Sequence, residues 1–583
     1  MFLSSFARLL RSRLPGWLEP QALLLVLIVA AIYFARLDDL TLRGEETRRA
    51  RVAIEMLETG DWVVPREQGR VFPDRPPLGN WLIALSMLAT GGTGTLAVRL
   101  PTVLATLATT LIIYGYSRTA LTRNGALAAG LAYATMGQVL QLGMLAETEA
   151  TMTLFVGASL LLWHLAYRGG LPAWQTWCLG YVLAGLAALA KGPQGPIYFV
   201  GATVVYLAAR RDWRFLLSWS HLTGIIAGTA VVAVWQIPYS LAVEWKLVLQ
   251  TWGHTSAARF DYSSLGPVLS HLVAFPCEIF GCLLPWSIWL AAFVSRDFRR
   301  SLAGASDMAV FLGIAIAVAF PTCWLAPQAR GRYFMPLYPC FAPLVGIVVE
   351  RAWSNAAGRT LAKLWQRYLV LAAAGATAAG VVVLAASLSP WLTATPLHQS
   401  PAFAVCYSLG ALAAAAVAWQ TRRPESGRQA VAGVAAVAVF LGLTSNGLLM
   451  NDVIRRSEDI AGQVAQLKQR LPEGVPLVSL GRAHHPFVYH YGQTIPWLDW
   501  PKPGGPTDYE YFCFHSMRGR RKPLPFEWEE IGTVRCDRYL RTQPVDAMVI
   551  GRRLPQIAAR AGQAAVSASI THRAHQNAPP IPK

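Results

Sequence analysis

The sequence predicts an α-helical polytopic membrane protein that carries a small α/β domain at its C-terminal end. Of its 583 residues, 54% are hydrophobic and only 14% are charged, whereas soluble domains carry about 25% charged residues. The apolar runs are long and continuous, which favours helices over the alternating strands of a membrane barrel. Because so apolar a chain cannot cover itself with polar surface, the composition excludes an array of soluble domains, a disordered chain and a disulfide-rich scaffold.

About thirteen apolar runs approach the ~20 residues that a helix needs to cross a bilayer. The first follows a basic N-terminal segment and lacks an A-x-A cleavage site, so it is interpreted as a retained signal-anchor helix. The segment 77–96 is also apolar, but a full span there would invert the charge pattern downstream, and we predict that it is interfacial or only partly inserted. The predicted spans lie near 21–35, 97–117, 124–142, 148–166, 175–190, 195–209, 219–240, 279–295, 306–323, 333–349, 367–388, 402–420 and 429–449.

Basic residues alternate between the loops on the two sides of these spans, as the positive-inside rule predicts. With a cytoplasmic N-terminus, the short basic loops between spans face the cytoplasm, and the C-terminal part lies in the periplasm of a Gram-negative cell. The net charge of +19 is then explained by topology, and nucleic acid is not a predicted partner. The basic loops lie near 118–123, 168, 210–214, 296–300, 351–363 and 422–428, whereas the loops at 143–147 and 389–401 contain neither lysine nor arginine.

Two domains are predicted, a membrane domain at residues 1–450 and a periplasmic α/β domain at residues 451–583. The second domain is more polar, and it alternates short apolar stretches with turn residues. Its Cys513 and Cys536 are the two cysteines in polar sequence, and they can form a disulfide if the domain lies outside the cytoplasm. The densest histidines are His484, His485 and His490, which we interpret as a polar face of this domain.

The first outside loop, residues 37–78, is rich in charge although it lies on the side where arginine is rare. Its Glu45–Thr59 segment predicts a helix at the membrane surface, since acidic residues begin it, Gly60 follows it and one side is apolar. One interpretation is a solvated helix held by ion pairs. The other is a site, because a carboxylate beside cations stays ionised, as a general base must, and arginine binds phosphate oxygens. The candidate residues are Glu45, Glu46, Arg48 and Arg49.

A second charged group, Asp74 and Arg75, lies in the proline-rich segment that leads back to the membrane. Prolines on both sides fix the direction of the chain, and Phe72 and Trp81 supply aromatic neighbours. A charged pair beside aromatic residues at the membrane surface suits an anionic lipid headgroup. A plain linker is the alternative interpretation.

Further charges lie near membrane depth on the same predicted side. A charge at the bilayer centre costs about 2.5–3.5 kcal/mol, so such residues usually face a cavity or a partner. Each residue alone is compatible with snorkelling or an ion pair, but their common side predicts one polar cavity that faces outside. The residues are Glu147, Glu149, Lys191, Arg259, Arg330 and Arg332.

In their order along roughly the first 450 residues, these motifs resemble those of the GT-C class of membrane glycosyltransferases. Within that class, the chain looks like the bacterial aminoarabinose transferases of lipid A and their relatives among the polyprenyl-phosphate sugar and protein O-mannosyl transferases. Each motif alone is weak, whereas the ordered set is specific. The motifs are Gly44–Arg48, EMLETGDWVVPR, Phe72–Leu78 with Trp81, Arg99–Pro101, Lys191–Pro193, Arg259–Phe260, Tyr333 and Pro336–Pro339.

The resemblance implies a GT-C fold with about 13 spans, interfacial helices in the first outside loop and a periplasmic C-terminal domain. It implies transfer of a sugar, 4-amino-4-deoxy-L-arabinose or a related one, from undecaprenyl phosphate to lipid A at the outer face of the inner membrane. Three positions depart from the family pattern. The family has Asp where this chain has Glu45, Lys where it has Arg75, and usually Asp where it has Glu149.

The same resemblance implies roles for individual residues. The catalytic carboxylates are Glu45, Glu46 and Glu149. The residues that bind the donor phosphate are Arg48, Arg75, Lys191 and Arg259. The pocket is lined by Phe72, Asp74, Glu147, Arg332 and Tyr333. Glu45 positions an ionised lipid A phosphate or, for a hydroxyl acceptor, acts as a base. No metal ligands are assigned, and a divalent cation stays an open cofactor.

Other functions stay open beside this one. A protein O-glycosyltransferase, or a transferase that modifies another glycan, differs in its acceptor. A transporter would be expected to show internal repeats and charges near the membrane midplane, but no repeat is visible and the charges cluster in an outside loop. A scaffold protein would not need paired carboxylates and arginines on one side.

Overall fold

The computed structural model describes residues 19–257, 259–260, 262–354, 356–393, 395–502, 508–540 and 545–554. The chain divides into two compact units. The membrane unit comprises Met1–Leu40, Gly60–Pro65 and Pro73–Arg455, and the sheet unit comprises Thr41–Thr59, Arg66–Phe72 and Arg456–Lys583. The sheet unit therefore includes much of the charged first loop. The domain boundaries at residue 450 stay a prediction.

Within the described residues, ten helices are long and apolar enough to cross a membrane. Three shorter apolar helices accompany them, at Pro20–Phe34, Leu78–Thr90 and Gln194–Ala209. The shorter helix Leu78–Thr90 lies in the segment that is not predicted to span, so the helices do not match the predicted spans one to one. The prediction of an α-helical polytopic membrane protein is confirmed. The ten are Thr95–Ser117, Thr148–Arg168, Ala173–Lys191, Trp219–Ala242, Leu265–Cys282, Ser306–Trp324, Gly331–Trp353, Arg359–Leu388, Pro401–Gln420 and Gly427–Arg456.

One predicted span, residues 124–142, is wrong. The segment forms two short helices, Arg123–Ala134 and Gly137–Leu142. Partners distant in sequence satisfy the backbone at the break. The Tyr33 hydroxyl donates to the last carbonyl of the first helix over 2.8 Å, and the first N–H of the second helix donates to the Leu284 carbonyl over 2.9 Å. Because these groups are paired, the helix can break at membrane depth.

A second predicted span, residues 279–295, is also wrong. The structure has an α-helix at Leu265–Cys282 and a separate 3-10 helix at Trp286–Val294. Pro285 lies between them and has no N–H to continue the first helix. The apolar run is therefore shared by two elements, and the spanning helix begins earlier than its hydropathy indicates.

The segment 77–96 forms the 13-residue apolar helix Leu78–Thr90. Its length is about 20 Å, less than the ~30 Å of a bilayer core. Its depth in the membrane stays a prediction. The remaining helices of the membrane unit are Trp213–Leu216, Trp245–Ala257, Arg296–Arg300 and the 3-10 helix Pro390–Leu392. The Gly331–Trp353 span begins with the 3-10 helix Gly331–Leu337, and the last span contains the π-helical turn Ser445–Leu449.

Small residues allow two of the spans to pack closely. Gly185 of the Ala173–Lys191 helix faces Gly228 of the Trp219–Ala242 helix, and a Cβ at Gly185 would lie 2.8 Å from the Gly228 carbonyl oxygen. Such an approach is possible only without a side chain, and it is typical of helix pairs in membranes. This pair orients the helix that ends at Lys191, a predicted site residue.

The sheet unit contains a two-stranded hairpin and a five-stranded sheet. The strands are β1 Arg66–Glu67, β2 Arg70–Val71, β3 Leu477–Leu480, β4 Trp497–Leu498, β5 Tyr511–Ser516, β6 Trp528–Arg535 and β7 Ala547–Arg553. The hairpin pairs β1 with β2, and the order in the sheet is β4-β3-β5-β7-β6. Strand β3 runs parallel to β4 and β5, whereas β7 is antiparallel to β5 and β6. The helices are Glu45–Thr59, Ile460–Lys468 and His485–Tyr491.

Two sequence predictions for this unit are confirmed. The C-terminal part is a mixed α/β structure, and the helix at Glu45–Thr59 has the predicted bounds. Cys513 and Cys536 are both buried and carry free thiols in this structure.

Candidate functional site

Two helix ends bring a carboxylate and an ammonium group together inside the membrane unit. Glu149 lies in the first turn of the Thr148–Arg168 helix, where the helix dipole favours a negative charge. Lys191 ends the Ala173–Lys191 helix, and Gly192 after it has a φ of +111°, which favours glycine. The Lys191 Nζ lies 2.6 Å from the Glu149 Oε1, and the two side chains are only 4% and 2% exposed.

Arg332 and Glu147 extend this buried pair. The Arg332 Nη1 lies 2.6 Å from the Glu147 Oε2, and the Arg332 Nε lies 3.6 Å from the Glu149 Oε1. Charges can be buried at low cost only when opposite charges compensate them. We refer to Glu147, Glu149, Lys191 and Arg332 as the Glu149 cluster.

The Tyr333 ring is a shared neighbour of three cations. The Lys191 Nζ lies 5.0 Å from the ring centroid, and the Cζ atoms of Arg259 and Arg332 lie 4.2 and 5.5 Å from it. These distances are within the range of cation–π attraction. Tyr333 lies in the Gly331–Leu337 3-10 helix. The ring therefore joins Arg259 to the Glu149 cluster.

Arg259 differs from the other cations of this group. No carboxylate in the described part of the chain forms an ion pair with it, and its Nε is buried without a hydrogen-bond partner there. A buried charge without a partner is costly. A phosphate group has the charge and the oxygen geometry that a guanidinium binds. Arg259 is therefore the cation of this group that is free to bind an anionic ligand.

Arg75 reaches the same helix end from the proline-rich segment. Its Nη1 donates to the Thr148 Oγ1 over 2.5 Å, and its Nε lies 3.3 Å from the Asp74 Oδ2. Thr148 directly precedes Glu149. No local pattern in the sequence indicates Thr148, because a threonine at a helix start is usually a local cap and only its contact with Arg75 gives it a role.

The membrane unit thus brings eight predicted site residues into one group. The group contains four cations and three carboxylates, which leaves a net charge of +1. An excess of positive charge in a water-poor environment suits the binding of a lipid-linked phosphate. The residues are Asp74, Arg75, Glu147, Glu149, Lys191, Arg259, Arg332 and Tyr333.

A separate set of predicted residues lies at the start of the Glu45–Thr59 helix in the sheet unit. The Arg48 Nη1 donates to both Glu45 carboxylate oxygens, over 2.7 and 2.9 Å, and the Arg49 Nη2 lies 3.7 Å from the Glu45 Oε2. The Glu45 side chain is 35% exposed, whereas Glu46 is buried. Of the two carboxylates, Glu45 is the one that a substrate can contact.

Arg48 has further partners that lie far from it in the sequence. Its Nη2 lies 3.3 Å from the His485 Nδ1, and its Nε lies 3.7 Å from the Glu67 Oε1. The Phe72 ring is contacted by Arg48 and by Arg482, at 5.5 and 5.2 Å from the ring centroid. His485 is half-buried against Arg48 rather than on an open polar face. Because 437 residues separate the pair, no local pattern indicates this contact.

The histidines of the sheet unit predict that acid destabilises it. Burial lowers the pKa of His484 to about 4 and lowers the pKa of His485 well below its ordinary value of 6.5. The unfolded chain therefore binds protons below about pH 6.5 that the folded unit does not bind, and stability falls as the pH drops from about 6.5 to about 4. In hydrogen exchange of the full chain, corrected for intrinsic rates, we expect faster exchange in residues 477–491 in weak acid than at neutral pH.

A pair of variants controls this experiment. His484→Gln removes one group that resists protonation, so it should reduce the acid sensitivity of residues 477–491. His398→Gln, in the membrane unit, should leave that sensitivity unchanged. Equal acid sensitivity in the wild type and in His484→Gln would contradict the prediction.

Among the residues that the structure describes, no group of three or more His, Cys, Asp or Glu could hold a metal ion. Glu147 and Glu149 each have a cationic partner. The expectation that the charges of both units line one cavity stays a prediction.

Comparisons with known proteins agree with the sequence resemblance. The profile of a family described as dolichyl-phosphate-mannose-protein mannosyltransferase matches residues 74–237. The undecaprenyl phosphate-alpha-4-amino-4-deoxy-L-arabinose arabinosyl transferases of Pseudomonas aeruginosa strain UCBPP-PA14 and Edwardsiella ictaluri are 29% and 28% identical, over 313 and 369 residues. The matches cover 52% and 60% of this chain, and only 53% and 62% of those relatives.

A solved structure supports the fold over nearly the whole chain. ArnT from Cupriavidus metallidurans with bound undecaprenyl phosphate has a TM-score of 0.66 at 18% identity, and the match covers 91% of this chain and 97% of that one. The same protein in the apo state has a TM-score of 0.65. At this identity, the likeness establishes the fold alone. The chain is therefore a membrane protein with the GT-C fold, and its sequence resembles the bacterial aminoarabinose transferases.

Proposed function

We propose that the chain is an integral-membrane glycosyltransferase that moves a sugar from undecaprenyl phosphate to lipid A. The sugar is 4-amino-4-deoxy-L-arabinose or a related one. One observation carries the proposal: Arg259 lies beside the Glu149 cluster, its Nε is buried without a hydrogen-bond partner, and it has no carboxylate partner among the described residues. A lipid-linked phosphate supplies the anion that this arrangement requires. The names of the two relatives support the choice of sugar and carrier.

In the proposed reaction, an acceptor oxygen attacks the anomeric carbon of the sugar. The bond between that carbon and the phosphate oxygen breaks, and the polyprenyl phosphate leaves with the bonding electrons. Arg75, Lys191 and Arg259 stabilise the charge that develops on the leaving phosphate. Because Thr148 holds Arg75, Glu149 holds Lys191 and the Tyr333 ring lies against Arg259, little reorganisation accompanies the step.

Glu45 is proposed to act on the acceptor. A lipid A phosphate is already ionised, so Glu45 needs only to position it, whereas a hydroxyl acceptor would give its proton to Glu45. Arg48 donates to both oxygens of Glu45 and fixes the direction of the carboxylate. Glu46 and Glu149 are buried, and we assign them as positioning residues.

The proposed place of this reaction is the periplasmic face of the inner membrane of a Gram-negative cell. The arginine and lysine residues of the alternating loops support a cytoplasmic N-terminus. With that orientation, the predicted domain at residues 451–583 lies in the periplasm.

A protein or another glycan is the second candidate acceptor. The matched family profile favours a protein acceptor, because the description of that family names a protein mannosyltransferase. The donor chemistry and the roles of the cations are the same in both cases, so an assay of acceptors separates them.

The test is transfer by purified full-length protein from undecaprenyl-phosphate-linked aminoarabinose, read by mass spectrometry of lipid A and peptide acceptors. Glu45→Gln is expected to lower transfer to a hydroxyl acceptor by about 100-fold or more, the usual scale for a lost general base. The expected loss is smaller for a phosphate acceptor, because no proton has to be accepted.

The matched control is Glu58→Gln, at the opposite end of the same helix. Its side chain is 46% exposed and pairs with Arg51, so its transfer rate should stay close to that of the wild type. Undiminished transfer in Glu45→Gln would remove Glu45 from the mechanism. Absence of transfer to every acceptor by folded wild-type protein would overturn the proposed donor.

A further inference from the structure

A cleft of about 530 Å³ opens in the membrane unit away from the Glu149 cluster. It lies between the end of the Gly331–Trp353 span, the start of the Arg359–Leu388 span and the turn that follows the Pro401–Gln420 span. Arg332 lies at the beginning of the first of these helices and Ala352 at its end, about 30 Å away along the axis. The cleft and the proposed donor site are therefore at opposite ends of the same helix.

The lining of the cleft carries more positive than negative charge. Among the described residues, it includes Arg359, Lys363 and Arg423 and a single carboxylate, Glu425. Within the described part of the chain, none of the three cations forms an ion pair. Arg359 and Lys363 lie in the first two turns of their helix, where the helix dipole repels cations. A bound anion would offset both the excess charge and the dipole.

The other walls are mostly apolar and aromatic, with Gln366 as one further polar side chain. Trp353 and Trp365 line the cleft together with Ala352, Ala362 and Pro424. Trp365 is buried, and its indole Nε1–H has no hydrogen-bond partner in the described residues. Tryptophan beside lysine and arginine is typical of the level of lipid headgroups at a membrane surface. The cleft therefore combines three cations, the indole N–H of Trp365 and apolar walls, at the end of one span and the start of the next.

We infer that this cleft binds the phosphate headgroup of an anionic phospholipid. Arg359, Lys363 and Arg423 would contact the phosphate oxygens, and the apolar walls would contact the start of the acyl chains. Basic pockets between transmembrane helices bind such headgroups by the same combination of groups. The inference is independent of the proposed transferase activity, because it concerns lipid retention and not transfer.

Native mass spectrometry of the full chain, released from nanodiscs of phosphatidylglycerol and phosphatidylcholine, tests this inference. We expect retention of phosphatidylglycerol by the wild type. Each basic residue near a membrane surface contributes about fivefold to the affinity for anionic lipid, so Arg359→Gln/Lys363→Gln should lower retention by about 25-fold. The matched control, Arg214→Gln/Arg296→Gln, loses the same charge at exposed arginines in other basic loops, and it should retain phosphatidylglycerol as the wild type does.

A second variant keeps the test informative if the first one folds poorly. Glu425→Gln removes the one carboxylate from the lining, so it should increase the retention of phosphatidylglycerol, a gain that misfolding cannot produce. Equal losses in the cleft variant and the control variant would overturn the inference, since general surface charge would then explain binding. Displacement of the lipid by inorganic phosphate at equal concentration would also overturn it, because the ligand would then be a free anion.

Discussion

Replacement of Arg259 by glutamine is expected to lower sugar transfer by about 100- to 1,000-fold, the range observed when one preorganised donor to a developing negative charge is removed. Stability should change little. Replacing Arg259 breaks no ion pair among the described residues. Its cation–π contact with the Tyr333 ring contributes about 0.5–1 kcal/mol to the free energy of unfolding. The measurements are the initial rate of transfer at saturating acceptor and the thermal unfolding midpoint in the same detergent.

Arg330→Gln is the matched control for this prediction. Arg330 is exposed and directly precedes the 3-10 helix that carries Tyr333, so it lies in the same segment but outside the group of buried charges. Its variant should transfer sugar at the wild-type rate. Equal losses in both variants would mean that net charge, and not the position of Arg259, controls donor binding. Full activity in Arg259→Gln would remove it from the donor site.

Local signals account for the elements that the sequence predicts best. The Glu45–Thr59 helix has its predicted bounds because its own residues determine them, with glutamates in the first turn and Gly60 after the last. Most of the long spans are also predicted well, since each is an apolar run bounded by charge, but the span at Leu265–Cys282 is not. The break at residues 135–136 is different. The break depends on the Tyr33 hydroxyl, which lies 101 residues away in sequence from the carbonyl to which it donates. The hydropathy of residues 124–142 therefore does not indicate the break.

The same distinction applies to the candidate site. The cost of burying a charge indicates that Glu149 and Lys191 need partners, but it does not indicate that they are each other's partners across 42 residues. For a related reason, the sequence does not predict the roles of Thr148, His485 and Glu67. Each is an ordinary residue in its local sequence, and only a contact with a predicted arginine gives it a role.

The buried pair of Glu149 and Lys191 gives the largest expected effect on stability. Lys191→Met leaves the Glu149 carboxylate buried with Arg332 at 3.6 Å as a remaining partner, and Glu149→Gln leaves the Lys191 ammonium buried without its 2.6 Å partner. Removing one member of a buried pair costs about 3–5 kcal/mol of unfolding free energy. We expect each single variant to unfold at clearly lower denaturant concentration than the wild type in detergent micelles.

The double variant Glu149→Gln/Lys191→Met separates the structural role of this pair from its proposed role in catalysis. With both charges gone, no unpaired charge of the pair remains, so most of the stability should return. Transfer should stay low, because the ammonium group that stabilises the leaving phosphate is absent in the double variant as well.

Arg168→Gln is the control at the other end of the Thr148–Arg168 helix. Arg168 is half-exposed and pairs with Asp307, so its loss should cost less than about 1 kcal/mol and leave transfer unchanged. A double variant that regains transfer together with stability would show that the pair only holds the two helices together, and the donor phosphate would then depend on Arg259 and Arg75 alone.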